Sequence, residues 1–264
     1  MKAIKLASIF AVSAVAAAVS TTTIAAEAPP AVFTGSAGVN YTLADTDDSA
    51  KAWGTEGEVN IIADTGVVYF DIDMSGDSLV LDEAYVTQGA VQFGDFDGSI
   101  STDAVAGAGV YSENGEYDDG DSATLGVRYT VADGLVVAVE GVEGAEDIGF
   151  GVSFSSGIFA ASAGSVGDDT TYSVGVTTDL EGASLMASYT GGEASATDLS
   201  VAILGADFTV SEAVSISAQY NADLEGEESN IEIAAYYTAG DITYFVSNIS
   251  GDYEETMIGA YASF

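Results

Sequence analysis

Apolar and polar residues alternate along most of this 264-residue chain, and the alternation limits the fold more than any other feature. From Phe33 onward, Phe33, Val39 and Tyr41 fall on one face of an extended segment, and Thr34 and Asn40 fall on the other. A period of two is the pattern of a β-strand with one apolar face. Both prolines precede Phe33, so no proline interrupts a later strand. We therefore predict an all-β protein.

The alternating segments are interpreted as sixteen strands, and twelve or fourteen remain open because strand boundaries are uncertain by about two to four residues. The connections fall into two classes when they are taken alternately. One class is short and lightly charged, as at residues 64–66 and 132–134. The other class is longer and more acidic, and it comprises residues 45–50, 95–121, 143–147, 167–170, 191–197, 222–229 and 250–254. Short turns at one end and longer loops at the other are typical of outer-membrane β-barrels.

Targeting and charge restrict the class of protein. Residues 1–26 are expected to be a secretory signal peptide, with two lysines, an apolar run and a small-residue cleavage site. The predicted domain, residues 27–264, then keeps two bases, Lys51 and Arg128, against 42 acids, a formal charge of −40. Nucleic acid is excluded as a partner, because binding to phosphates needs a basic surface. No segment after residue 26 approaches the roughly 18 consecutive apolar residues of a membrane helix, whereas a transmembrane β-barrel is compatible with the alternation.

The chain contains neither cysteine nor histidine. Ser-His and Cys-His nucleophile pairs and thiolate metal sites are therefore impossible. Pairs of carboxylates carry no catalytic signal, because 42 acids bring some together by chance. We predict a protein that is not an enzyme and has no cofactor. The one metal hypothesis is calcium in the acidic segment 95–121, whose Asp-x-Asp strings resemble fragments of calcium loops but lack the bidentate Glu.

Residues 95–121 form the longest segment that does not alternate cleanly, and they include no base. A loop of this length in an otherwise tightly turned chain is usually functional or disordered. Its carboxylates are those of Asp95, Asp97, Asp103, Glu113, Glu116, Asp118, Asp119 and Asp121.

The chain resembles Gram-negative general porins, in particular the acidic porins of alphaproteobacteria. The resemblance is carried by the expected signal peptide, the even strand number, the segment GAVQFGDFDG that leads into the acidic loop, and the final strand MIGAYASF. It implies a transmembrane antiparallel β-barrel whose third external loop, residues 95–121, folds into the lumen and narrows the pore. It also implies a homotrimer in the outer membrane of a Gram-negative bacterium, in contact with outer-membrane lipid and lipopolysaccharide. Phe264 would belong to the assembly signal, and small hydrophilic solutes and ions would diffuse through passively.

Alternation also predicts the side chains that face the lumen. Leu125, Val127 and Tyr129 share one face, which places Arg128 on the other. Arg128 is assigned to the lumen because a charge facing lipid at mid-bilayer costs about 2–4 kcal/mol. We predict that the pore constriction consists of the loop carboxylates and Arg128. The predicted lumen wall comprises Glu58, Tyr69, Asp71, Asp73, Glu140 and Glu232. Acidic loop and wall residues would favour cations over anions.

Three points stay open in the sequence. Asp82 and Glu83 fall on opposite faces of one predicted strand, so the pattern does not assign them. The alternative fold is a secreted or surface-attached acidic β-sandwich of the adhesin type, in which the apolar faces pack between two sheets. A substrate-specific channel would share the barrel fold, and the sequence does not separate it from a general porin.

Overall fold

The alternating segments form β-strands in the computed structural model, which describes residues 32–44, 51–75, 78–102, 104, 123–142, 147–194 and 197–263. Within these residues, sixteen antiparallel strands pair in sequence order, and β1 pairs with β16 to close a barrel. The prediction of sixteen strands is confirmed. The strands are β1 (Val32–Ala44), β2 (Ala52–Asp64), β3 (Val68–Ser75), β4 (Ser78–Gln88), β5 (Val91–Asp97), β6 (Ala123–Ala132), β7 (Leu135–Val142), β8 (Gly149–Ser156), β9 (Phe159–Val166), β10 (Asp169–Leu180), β11 (Ala183–Ala194), β12 (Thr197–Ser211), β13 (Val214–Asp223), β14 (Glu228–Ala239), β15 (Ile242–Gly251) and β16 (Glu255–Ser263).

The barrel turns its apolar side chains outward and its polar side chains inward. Strand β10 shows this clearly: Tyr172 and Val174 are 44% and 40% exposed, whereas Thr171 and Ser173 are 9% and 1% exposed. This polarity is the reverse of the apolar interior of a soluble domain. The alternative of a β-sandwich is wrong, because the sheet closes on itself and does not pack against a second sheet.

Several of the predicted longer loops are shorter in the structure, and two of them illustrate the cause. Predicted loop 167–170 shrinks to Gly167 and Asp168, and predicted loop 191–197 shrinks to residues 195–196, since β10 and β11 extend beyond their alternating parts. Backbone hydrogen bonding continues past the last apolar side chain, because the ladder does not require an apolar face. Hydropathy alternation therefore marks the apolar band of the barrel and not the full length of its strands.

Short turns join the strands at the opposite end. The turn between β4 and β5 consists of Gly89 and Ala90, and Gly89 has a φ of 62°. Gly240, in the turn between β14 and β15, has a φ of 66°. Glycine adopts this left-handed conformation without steric cost, which permits a two-residue hairpin turn.

A short 3₁₀ helix, Ile100–Thr102, follows β5 and packs against the inner faces of β8, β9 and β10. Ile100 is fully buried. The start of the long loop thus lies within the barrel. In the part of the chain that the structure describes, no helix is long and apolar enough to cross a membrane.

Candidate functional site

Arg128 joins the start of the long loop to the barrel wall. Its Nε lies 3.1 Å from Oε1 of Glu140 on β7, and its Nη2 donates a 2.9 Å hydrogen bond to the carbonyl oxygen of Gly98. Its guanidinium carbon lies 4.2 Å from the centroid of the Phe96 ring. Arg128 faces the interior of the barrel, where its guanidinium contacts Glu140 on the wall and the backbone of the loop at Gly98.

Glu140 anchors the loop through further hydrogen bonds. Its Oε2 accepts a 2.9 Å hydrogen bond from Oγ of Ser99 and a 3.2 Å hydrogen bond from the backbone N–H of Ile100. Glu140 is 3% exposed. Hydrogen bonds to an ionised carboxylate are stronger than neutral ones. Sequence reasoning placed Glu140 on the lumen surface, but the side chain is buried and positions the loop.

Serine and threonine side chains on β9 and β10 hold the next part of the loop. Oγ of Ser101 lies 2.6 Å from Oγ1 of Thr171, and Oγ of Ser162 donates a 2.7 Å hydrogen bond to the carbonyl oxygen of Ser101. The backbone N–H of Ala104 donates a 3.2 Å hydrogen bond to Oγ of Ser162. The loop backbone therefore finds partners on the wall over residues 101–104, of which residue 103 is outside the described part.

Two glycines give the loop room to approach the wall. Gly151 on β8 lies beneath Ile100, and a Cβ at Gly151 would overlap the Ile100 side chain. A Cβ at Gly164 on β9 would lie 2.9 Å from Cβ of Ser101. Side chains at these positions would push the loop away from the wall.

An acidic patch lies on the inner faces of β2, β3 and β4. Asn60 pairs with Asp73, and Asp71 pairs with Glu83. We call these four residues the acidic wall patch. The register shifts between Asp71 and Ile72, which leaves Asp82 as the extra residue of a β-bulge. The bulge explains why simple alternation did not assign Asp82 and Glu83.

A row of aromatic rings runs beside the acidic wall patch. The ring centroids of Tyr69 and Tyr85 are 4.8 Å apart, and those of Tyr85 and Phe96 are 5.3 Å apart. Arg128 covers the far end of this row through its contact with Phe96. The row links the predicted wall residue Tyr69 to the anchored start of the loop.

Asp95 belongs to the barrel wall just before the long loop. Asp95 lies within β5, opposite Ala84 and Leu125, on the face that points away from Phe96. The carboxylate is not free in solvent, because its Oδ1 is buried.

The other predicted site residues divide into two groups. Glu232 points inward but is fully buried, and it accepts a 2.5 Å hydrogen bond from Oγ of Ser247, so it does not form lumen surface. The backbones of Glu58 in β2 and Asp97 at the end of β5 are described, but their side chains are not. The predicted constriction and assembly residues outside the described part are Asp103, Glu113, Glu116, Asp118, Asp119, Asp121 and Phe264.

Sequence reasoning missed the wall residues that bind the loop. Ser162, Thr171 and Ser173 occupy ordinary polar positions of alternating strands, so no motif singles them out. A signal was nevertheless present, because small side chains are concentrated on the inward positions of β8 to β10, as at Gly151 and Gly164. Small inward side chains leave space that another segment of the chain has to fill.

Among the described residues, no group of three or more acidic side chains converges closely enough to enclose a metal ion. The predicted calcium in segment 95–121 falls largely outside the described residues. The described part of the site consists of a charged wall and an anchored loop.

Comparisons with known proteins agree on the fold. No protein-family model matches the chain, and no curated protein sequence matches it. Among solved structures, OmpF of Salmonella typhi, in complex with daunomycin, matches with a TM-score of 0.65 at 14% identity, over 89% of this chain and 97% of that one. A loop-deletion mutant of OmpT, an outer membrane protein of Vibrio cholerae, matches with a TM-score of 0.63 at 13% identity, over 90% and 100%. A variant of the Rh. blastica porin matches with a TM-score of 0.59 at 12% identity, over 89% and 100%. The closed sixteen-strand barrel of this chain therefore has the fold of the general porins.

Proposed function

We propose that the chain is a porin of the Gram-negative outer membrane, through which small hydrophilic solutes and ions diffuse passively with a preference for cations. The observation that carries this proposal is the polarity of the closed barrel. Outward side chains such as Val174 and Val246 are apolar and exposed, whereas inward Ser173 and Ser247 are buried. An outer surface of this kind is stable against lipid, and a polar interior suits water-soluble solutes.

The anchored loop supports a sieving role. Residues 98–102 and Ala104 lie against the inner wall through the contacts of Glu140, Ser162 and Thr171. A segment held inside the barrel reduces the cross-section open to solutes. Passage then requires no chemical step, which fits a channel and not an enzyme.

The cation preference rests on the charges of the interior. The acidic wall patch brings Asp71, Asp73 and Glu83 to neighbouring positions of β3 and β4. The positive charge of Arg128 is offset by Glu140 at 3.1 Å. The net potential of the described wall is therefore negative, and a negative wall raises the local concentration of cations.

The family resemblance supports the remaining parts of the proposal. They are export by the signal peptide 1–26, assembly as a homotrimer, contact with lipopolysaccharide, and Phe264 as an assembly signal. Extraction from the outer membrane, followed by a denaturing gel with and without heating, tests location and assembly. A protein recovered in the soluble secreted fraction would contradict the proposal.

Channel activity is tested with the purified protein in planar bilayers and liposomes. We expect stepwise conductance in KCl, and liposome swelling rates that fall as the size of the neutral sugar increases. Absence of both with a correctly folded, heat-modifiable barrel would refute the channel. Saturation of the flux by one sugar would instead identify a substrate-specific channel.

A further inference from the structure

The outer wall of the barrel has a depression across β9, β10 and β11. Its volume is about 240 Å³. The exposed side chains of Phe159, Val174 and Val176 stand on one side of it, and Tyr189 stands on the other. Ala187 is the small residue among them, directly opposite Val176 in the sheet. We call this apolar depression the outer groove.

Two tyrosines gather polar atoms at the end of the outer groove that points to the longer loops. A Cβ at Gly191 would lie 2.7 Å from the hydroxyl oxygen of Tyr172 and 2.9 Å from that of Tyr189. Gly191 follows Tyr189 by two residues toward the loop end of β11, so the Tyr189 ring leans along the strand and away from Ala187. The Tyr189 hydroxyl also lies 3.1 Å from Oγ of Ser200. The lean leaves the space over Ala187 open.

The position of the outer groove indicates an occupant from the membrane, and this step rests on the proposed function, which places the outward face against lipid. Val174 and Val176 belong to the exposed apolar face of β10. From the level of Val176 to that of Tyr172 the groove extends over four residues, about 13 Å of strand. It therefore offers an elongated apolar surface that ends in hydroxyl groups, which is the polarity of an acyl chain joined to its headgroup.

A second copy of the chain fits another face of the barrel better. Strands β1 and β9 are eight positions apart in the closed order of sixteen, so the outer groove lies opposite the seam between β1 and β16. Small residues are concentrated on the outward face at that seam: Gly35, Ala37, Gly57, Ala260 and Ala262. A flat face of small residues allows two rigid walls to approach closely, whereas a depression is filled more readily by a flexible chain.

We propose that the outer groove binds an acyl chain of a zwitterionic phospholipid whose headgroup carries an ammonium group. The hydroxyls of Tyr172 and Tyr189 can donate hydrogen bonds to phosphate or ester oxygens. Beyond them, exposed Glu193 and Asp198 lie directly opposite each other on β11 and β12. Like charges in this arrangement are unfavourable, so an ammonium group between them is stabilising. The excess of acids over bases in the chain also disfavours an anionic headgroup.

Binding is tested by native mass spectrometry as phosphatidylethanolamine is titrated into the delipidated, full-length mature protein in detergent. Ala187→Phe fills the outer groove. Ala218→Phe is the matched control, because Ala218 lies on β13 between Ala206 and Ile233, outside the groove. We expect one tightly bound lipid in the wild type and in Ala218→Phe. The affinity of Ala187→Phe should be at least about tenfold lower, since burial of about two methylene groups already accounts for this factor.

The headgroup is tested in the same assay with phosphatidylglycerol and with the double variant Tyr172→Phe, Tyr189→Phe. We expect phosphatidylglycerol to bind the wild type more weakly than phosphatidylethanolamine, and the double variant to lose part of the affinity for phosphatidylethanolamine. Equal affinity for the two lipids would overturn the assignment of an ammonium headgroup.

Heat-modifiable gel migration confirms that each variant has folded. Identical phosphatidylethanolamine titrations of the wild type and of Ala187→Phe would overturn the site, because the lipid would then be bound without the groove. Loss of the oligomer in Ala187→Phe alone would also overturn it, because a second copy would then cover the groove. A wild-type lipid complex without any KCl conductance in planar bilayers would support the site and refute the channel.

Discussion

The anchoring role of Glu140 leads to a quantitative prediction for Glu140→Gln. The substitution keeps the size of the side chain but leaves the guanidinium of Arg128, 15% exposed, without its carboxylate. Removing one partner of a buried ion pair costs about 3–5 kcal/mol. Since about 1.4 kcal/mol corresponds to a factor of ten, detachment of the loop would become about two to four orders of magnitude more frequent. We expect higher mean conductance, larger current noise and faster entry of large sugars.

Single-channel recording measures this effect directly, with heat-modifiable gel migration as the check that each variant has folded. Asp207→Asn is the matched control, because this inward carboxylate contacts Ser217 and lies far from Glu140 in strand order. A double variant, Glu140→Gln with Arg128→Gln, removes both charges and should recover part of the wild-type behaviour. Wild-type conductance and noise in Glu140→Gln would refute the anchoring role.

Three further predictions follow from packing and charge. Gly164→Val should displace the loop and raise the conductance. Gly57→Ala should leave the conductance unchanged, because the nearest atom lies 4.0 Å from the new Cβ. Equal conductance of the two variants would contradict the close approach of the loop to Gly164. Val174→Arg on the outward face should lower folding stability in lipid vesicles by about 2–4 kcal/mol, measured by urea titration, and Val174→Leu should not. The hydrogen bond that Tyr253 donates to Glu255 raises the pKa of the Tyr253 phenol above its usual range. This contact contributes its full stability below pH 10, and the contribution decreases as the pH rises through the raised pKa. The phenolate absorbance of Tyr253, measured as the difference between the wild type and Tyr253→Phe, should therefore appear above pH 10. A difference that appears at or below pH 10 would contradict the contact.

Much of the barrel could be predicted because alternation reports directly on the two faces of each strand. Tyr172, Ser173 and Val174 illustrate this, since their order of apolar and polar character matches their order of exposed and buried positions. Closure by β1 and β16 was predicted only through the family resemblance, because pairing between distant segments leaves no local pattern. The alternation underestimates the length of the strands at the loop end of the barrel, because backbone pairing continues beyond the last apolar side chain.

The site was harder to predict, because its geometry depends on contacts between distant segments. Glu140 and Ile100 are forty residues apart, and no spacing rule indicates that one anchors the other. The bulge at Asp82 is a local insertion that only the register of β3 and β4 reveals.

The central claim is a channel whose interior favours cations, and its most direct test is the reversal potential of the wild-type protein in a planar bilayer. A tenfold KCl gradient without divalent cations sets an ideal limit of about 59 mV for a monovalent ion. The negative wall of Asp71, Asp73 and Glu83 predicts a potential with the sign of K⁺ selectivity that decreases as the salt concentration increases. A potential with the sign of Cl⁻ selectivity would contradict the account.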